Sequence, residues 1–211
     1  MILKTQNYHQ KLEPNEIYHL FSRANGSELM FQSNENYLYF LKKLDHHTAS
    51  IAKIYAYSLL PNHFHLLVRI NDFEYIIEQF EIIKKRKFNS DVDVISDFII
   101  ERFSNLLNGY TKAFNKMYHR KGALFIDYIK RSKSESEIDF VNFIWYIHKN
   151  AVHHGYTKKV GDWKYDSYSS LIDSRPSKLL REEVISFFGD KNAFIDFHDK
   201  PIDLKNIIID I

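Results

Sequence analysis

The chain contains no cysteine, which excludes a disulfide framework and any thiolate metal site. A metal, if one binds, must be held by His, Asp, Glu, Asn or Gln. Charge of one sign is also lacking: 29 Lys+Arg stand against 27 Asp+Glu, a formal net charge of +2. A nucleic-acid partner would therefore be met by local basic patches and not by a global field. No apolar run approaches the roughly 18 residues that span a bilayer. The opening MILKTQNYHQKLEPNE lacks the apolar core of a signal peptide. These absences predict a soluble, cytoplasmic protein with no membrane partner.

What is present is core material. Hydrophobic residues make up 45% and aromatics 16% of the 211 residues, enough for one domain of ordinary size. Residues 16–22 read as a first strand, ending at the turn-forming RANGS. Ser33 or Asn34 can cap a helix reaching about His47, with Tyr37, Phe40, Leu41 and Leu44 as its apolar stripe. Residues 51–60 and 63–70 read as two strands around a tight Pro61-Asn62 turn. A helix follows up to Lys84–Lys87, then an exposed loop over 88–94 and a long helix over 95–118. Residues 122–131 have strand character. Ser134-x-x-Glu137 has the spacing of a capping box, opening a helix that runs to Asn150 or just beyond, with Gly155 as its stop.

The order β-α-β-β-α-α-β-α predicts an α+β, ferredoxin-like sandwich, with helices packed on a mainly antiparallel sheet. Residues 1–168 would form the main domain. Residues 169–211 would add a short helical C-terminal extension, with one amphipathic helix ending at Gly189.

Two histidines stand out because they open a strand bound for the core. In SLLPNHFHLLVRI, His63 and His65 lie at i and i+2, on one face and about 6.6 Å apart along the strand. Both imidazoles can lean toward one metal ion, while Phe64 points into the core. The strand end would put them at an accessible rim. An ordinary pair of half-buried histidines is the competing reading, in a chain with 11 of them. Metallo-β-lactamase, histidine-triad and cupin sites need further ligands at positions that hold leucine or valine here, or that are missing. An amidohydrolase barrel needs a longer chain. A two-histidine site must recruit its third ligand elsewhere.

The helix containing FVNFIWYIHKNAVHHGY offers candidates. Tyr146 and Asn150 are i, i+4 neighbours on one face, and an amide oxygen is an acceptable ligand for a hard cation. Spacing alone leaves Tyr146 equally readable as an ordinary packing tyrosine.

Taken together, YSLLPNHFHLLV, YIHKNAVHHGY and DWKYDSYSS resemble the single-tyrosine HUH transposases, which include the REP-associated tyrosine transposases. His63-Phe64-His65 matches the His-hydrophobic-His motif and Leu60-Pro61-Asn62 its lead-in. Tyr146, Ile147, Asn150, Val152 and Gly155 match the later Tyr-Ile-x-x-Asn-Pro-Val-x-x-Gly motif, with Ala151 replacing proline. That replacement would let the helix continue past Asn150. The resemblance spans about residues 14–170.

The resemblance implies cleavage of single-stranded or hairpin DNA, at hairpin or palindromic repeats. Tyr146 would be the nucleophile and His63, His65 and Asn150 the metal ligands. Mg²⁺ or Mn²⁺ would be the cofactor, with Zn²⁺, Ni²⁺ or Co²⁺ able to replace it in vitro. The acting unit would be a monomer or homodimer. A non-cleaving DNA-binding relative and a metal-dependent phosphodiesterase using water remain as alternatives. Cations expected to meet DNA are Lys84, Lys85, Arg86 and Lys87, with Lys121, Lys130 and Arg131 as a second group. Tyr110 is a candidate for stacking on unpaired bases.

Overall fold

The computed structural model describes residues 8–89, 91–126 and 128–200; the extension expected beyond residue 200 lies outside these. Four strands form one antiparallel sheet in the order β2-β3-β1-β4. They are β1 (Ile17–Arg23), β2 (Ala52–Leu60), β3 (His63–Ile70) and β4 (Lys130–Lys133). Helix α1 (Asn34–Thr48) crosses from β1 to β2, and α2 (Phe73–Lys84) with α3 (Val92–Met117) crosses from β3 to β4. This is the α+β sandwich that the element order predicts.

The sheet separates two cores, and the alternation of side chains along β3 shows how. Phe64, Leu66, Val68 and Ile70 join Tyr18 and Leu20 against α1, α2 and α3. Leu67 faces the other way, toward α4 (Glu137–His153) and its Phe140, Ile144 and Ile147. The strand period of two therefore places His63 and His65 on the α4 face. A bulge in β2 between Ile54 and Ala56 turns Tyr55 as well as Ala56 to that face.

Helix α4 differs from its sequence reading at both ends. Its N-cap is Ser136, whose Oγ accepts from the Asp139 N–H at 3.1 Å, so the cap lies two residues beyond the expected Ser134. At the other end the helix runs through a buried Ala151 to His153, then stops at Gly155 with φ +73°. With alanine in place of proline, residue 151 keeps its amide hydrogen and the helix is not interrupted.

The strand expected over 122–131 is also displaced. Phe125 makes only an isolated bridge to Ala24, and regular pairing is confined to Lys130–Lys133 against β1. An edge strand reading Lys-Arg-Ser-Lys carries no apolar run to announce it.

Among the described residues the C-terminal part contains three helices rather than one: α5 (Tyr168–Ile172), α6 (Arg181–Phe188) and α7 (Lys191–Asp199). Val184 of α6 and Phe194 of α7 are fully buried in the α4 core. Each such side chain contributes roughly 1.5–3 kcal/mol, so α4 is held firmly between the sheet and these helices. Among the described residues no helix is long and apolar enough to cross a membrane.

Candidate active site

His63, His65, Tyr146 and Asn150 come together between the start of β3 and the last two turns of α4. Asn150 is the hub. Its Oδ1 lies 2.8 Å from His63 Nε2 and its Nδ2 lies 3.4 Å from His65 Nε2. The Tyr146 ring stands edge-on to the His65 ring, with centroids 5.2 Å apart. The same ring also meets His19 edge-on, with centroids 6.1 Å apart, inside the core that it shares with Phe143, Ile144 and Ile147.

The far nitrogen of each imidazole is also engaged. His63 Nδ1 lies 2.8 Å from Asn62 Oδ1, and His65 Nδ1 lies 2.9 Å from His19 Nε2. If each Nδ1–H donates outward, both Nε2 lone pairs point toward the Asn150 amide. Such outer partners fix the tautomer of a metal-binding histidine. Burial keeps these rings neutral: it lowers the pKa of His63 to about 4 and of His19 to about 3, and pushes His65 well below the usual value.

Sequence reasoning missed His19 as a member of the site. It sits on β1 with its side chain on the α4 face, stacked on Phe143 and His65. Only the β1–β3 register brings it there, pairing Phe21 with His65. Also missed was His154, whose ring centroid lies 4.8 Å from that of His63. It continues the Tyr146–Asn150 stripe at i+4.

The site is closed. The expectation of imidazoles on an accessible rim is corrected: His63 is 3% exposed, His65 and Asn150 are fully buried, and Tyr146 is 6% exposed. Burial raises the Tyr146 phenol to about 12, with the Asn150 amide partly opposing the rise. At neutral pH the phenol is protonated.

The expected DNA-contacting residues divide sharply. Lys130 is half-exposed on the site face, in register with Phe21, and its Nζ lies 5.8 Å from the Tyr8 ring centre. Arg23, which sequence reasoning missed, is exposed at the end of β1 in register with His63. Lys121 is exposed in the loop before β4. The Lys84–Lys87 run lies on the opposite helical layer. Lys84 pairs with Glu101 and Lys87 with Glu81, Arg86 lies over the Phe80 ring, and Lys85 caps α2 in the left-handed region.

Two candidates are corrected outright. Arg131 is 5% exposed and donates to the backbone carbonyls of His9, Gln10 and Ile129. It anchors the N-terminal segment and cannot reach a DNA phosphate. Tyr110 is 1% exposed and donates its hydroxyl to the Met30 carbonyl, so no base can stack on it. Each lies one position away from a half-buried residue, Lys130 and Thr111, a difference that charge and aromaticity do not encode.

Among the described residues no group of three His, Asp or Glu side chains is placed to hold a metal. Asn150 therefore matters: two imidazole nitrogens and one amide oxygen form a donor set suited to a divalent cation. With its proton on Nε2, His63 donates to Asn150 Oδ1 at 2.8 Å; with the proton on Nδ1 toward Asn62, Nε2 and Oδ1 both offer lone pairs to a cation. In that second tautomer a cation would take the place of the shared proton, so the residues fit the implied metal.

No protein-family model matches the chain, and no curated protein does. Among solved structures, a REP-associated tyrosine transposase bound to a REP hairpin matches with a TM-score of 0.50 and 17% sequence identity, over 81% of this chain and 86% of that one. This chain therefore shares its fold with a REP-associated tyrosine transposase.

Proposed function

We propose that the protein is a single-strand DNA endonuclease and transposase-like enzyme that works through a covalent tyrosine intermediate. The supporting observation is the meeting of Tyr146 with His63, His65 and Asn150 in one buried cluster. Its fold neighbour, solved on a hairpin, makes hairpin-bearing DNA the substrate to test first.

His63, His65 and Asn150 would hold a divalent cation, Mg²⁺ or Mn²⁺ by preference. When bound, it would polarise a non-bridging oxygen of the scissile phosphate and help neutralise the charge that develops there. Tyr146 attacks the phosphorus. The bond from Oη to phosphorus forms as the bond from phosphorus to the 3′ oxygen breaks, and the phenol proton ends on the released 3′-hydroxyl. The product is a 5′-phosphotyrosyl link, and reversal by another 3′-hydroxyl rejoins DNA without a nucleotide cofactor. His19 and Asn62 keep the two imidazoles aimed, while Asn150 holds both at a fixed distance from the phenol. Arg23, Lys121 and Lys130 supply cations for backbone phosphates on the side where DNA would enter.

The closed, protonated state of the Tyr146 phenol favours one second reading, a non-cleaving DNA-binding relative. A single experiment separates the two readings. Wild type and Tyr146→Phe are incubated with a hairpin-bearing single strand and Mn²⁺, then resolved under denaturing conditions. Cleavage with a protein–DNA adduct, lost in the variant, supports the nuclease. Cleavage by both without an adduct means that water is the nucleophile. Binding without cleavage by either means that the site is retained for recognition only.

A further inference from the structure

On the side of α4 that faces away from the site, the helix carries a second imidazole contact. His148 lies two residues after Tyr146 and two before Asn150, about 200° around the helix from each. It is buried against the C-terminal helices, as is His198 of α7. His198 Nδ1 lies 2.8 Å from the Phe194 carbonyl, His148 Nδ1 lies 2.9 Å from His198 Nε2, and His148 Nε2 lies 2.9 Å from Ser167 Oγ. Ser167 Oγ in turn accepts from the Tyr57 N–H at 2.9 Å.

One proton arrangement of neutral rings satisfies both imidazoles, with the Ser167 hydroxyl turned from the Tyr57 carbonyl at 3.2 Å, which keeps the Ser167 N–H as its donor at 2.9 Å. His198 donates from Nδ1 to Phe194, His148 donates from Nδ1 to His198, the Ser167 hydroxyl donates to His148, and Tyr57 donates to Ser167. The chain of bonds thus runs from β2 through the middle of α4 to α7. The surrounding rings of Tyr168, Phe188 and Phe194 would accept an apolar side chain equally well. What an apolar contact cannot supply is direction. A rotation of α4, or a slide by one residue of about 1.5 Å, would leave the aromatic packing largely intact but break bonds of 2.9 Å. The support behind α7 is itself fixed, because Glu183 of α6 bonds Arg69 of β3 at 2.8 Å and accepts from the Tyr55 hydroxyl on β2.

We propose that His148 and His198 are positioning residues: through their mutual hydrogen bond, α7 sets the rotation and height of α4 and so places Tyr146 and Asn150 against His63 and His65. The functional part rests on the reading of that cluster as the reactive site, whereas the geometric part does not.

The test uses the full chain with His198→Phe, which keeps the ring volume and removes the link, and His198→Gln, which restores an acceptor for His148. The first readout is the side-chain ¹⁵N spectrum of His63 and His65, which needs neither metal nor DNA. The Phe variant is expected to stay folded and to shift the His63 signals as the Asn150 contact is lost, with the Gln variant returning toward wild type. Co²⁺ affinity, followed by visible absorption, should fall tenfold or more in the Phe variant. On DNA that wild type cleaves, kcat should fall tenfold or more with KM unchanged. Wild-type His63 signals in a folded His198→Phe protein would overturn the proposal. So would a loss in both variants that simply follows the unfolded fraction. If wild type cleaves nothing, the nuclease reading fails while the spectra still decide the positioning role.

Discussion

His63 Nε2 and Asn150 Oδ1, 87 residues apart in sequence, lie 2.8 Å from each other in the buried space between β3 and α4. The contact joins an imidazole from a hairpin to an amide from a late helix. It makes Asn150 the residue whose loss should be felt most widely. Asn150→Ala would leave buried His63 without that partner, at about 1–3 kcal/mol, read as a lower denaturant midpoint. Divalent-ion affinity should fall at least tenfold. Asn150→Asp should be destabilised without metal, because a carboxylate is then buried, and should recover on adding Mn²⁺. Equal midpoints with and without the ion would argue against a metal at this position.

Tyr146→Phe removes one oxygen from a ring that keeps its packing against His65. Its midpoint should match wild type within about 1 kcal/mol, and its affinity for a hairpin-bearing strand should change less than about threefold. Cleavage and adduct should both vanish. An adduct that persists would place the nucleophile elsewhere.

Asp166 gives a prediction of opposite sign to most carboxylates. Burial raises it from 3.8 to about 7, and its Oδ2 is without a partner, as is Oγ of its bridge partner Ser58. The folded state holds the proton more tightly than the unfolded chain, so stability falls as pH rises from about 4 to about 7 through this group. Asp166→Asn should therefore stabilise the protein at pH 8 by roughly 1–3 kcal/mol and give no gain at pH 4. A variant less stable than wild type at pH 8 would show that the charged carboxylate is favourably held.

The buried histidines act in the reverse direction. His19, His63, His65, His148 and His198 all have pKa values lowered first by burial, His198 to about 4. Unfolded, they bind protons near pH 6.5, so stability is complete above that value and is lost as pH falls toward 4. Five groups outweigh the single opposing carboxylate. The denaturant midpoint should drop steeply between pH 7 and pH 5, and a flat profile would contradict the neutral, buried state of these rings.

Arg131 and Lys130, adjacent in sequence, should separate fold from binding. Arg131→Met strips the donors from the His9 and Gln10 carbonyls and should lower the midpoint without altering the salt dependence of DNA affinity. Lys130→Ala should leave stability nearly unchanged and reduce the slope of log K against log salt by about one. The reverse pattern would mean that Arg131 leaves its carbonyls to meet DNA and that Lys130 serves the fold.

The strands and helices that carry the site are legible locally. The alternation in HFHLLVRI and the apolar stripe of α1 state their own periods, and the turn at Pro61-Asn62 joins β2 to β3 as expected. Where local signals thin out, so does the reading. The polar edge strand β4 has no pattern, and α5, with five residues, is too short to show one. Tyr110 and Arg131 look like surface chemistry in sequence because a phenol and a guanidinium can be satisfied equally well by backbone carbonyls inside the fold.

Sequence alone determined which side chains share a face: His63 with His65 through the strand period, and Tyr146 with Asn150 through the helix period. These follow from backbone geometry within a few residues. Only the tertiary structure decided that the two faces meet, that His19 stands behind His65, and that His148 is bound from the rear by α7. Those facts depend on strand register and on helix placement across the sheet, which are set by the packing of two cores over distances that no local pattern encodes.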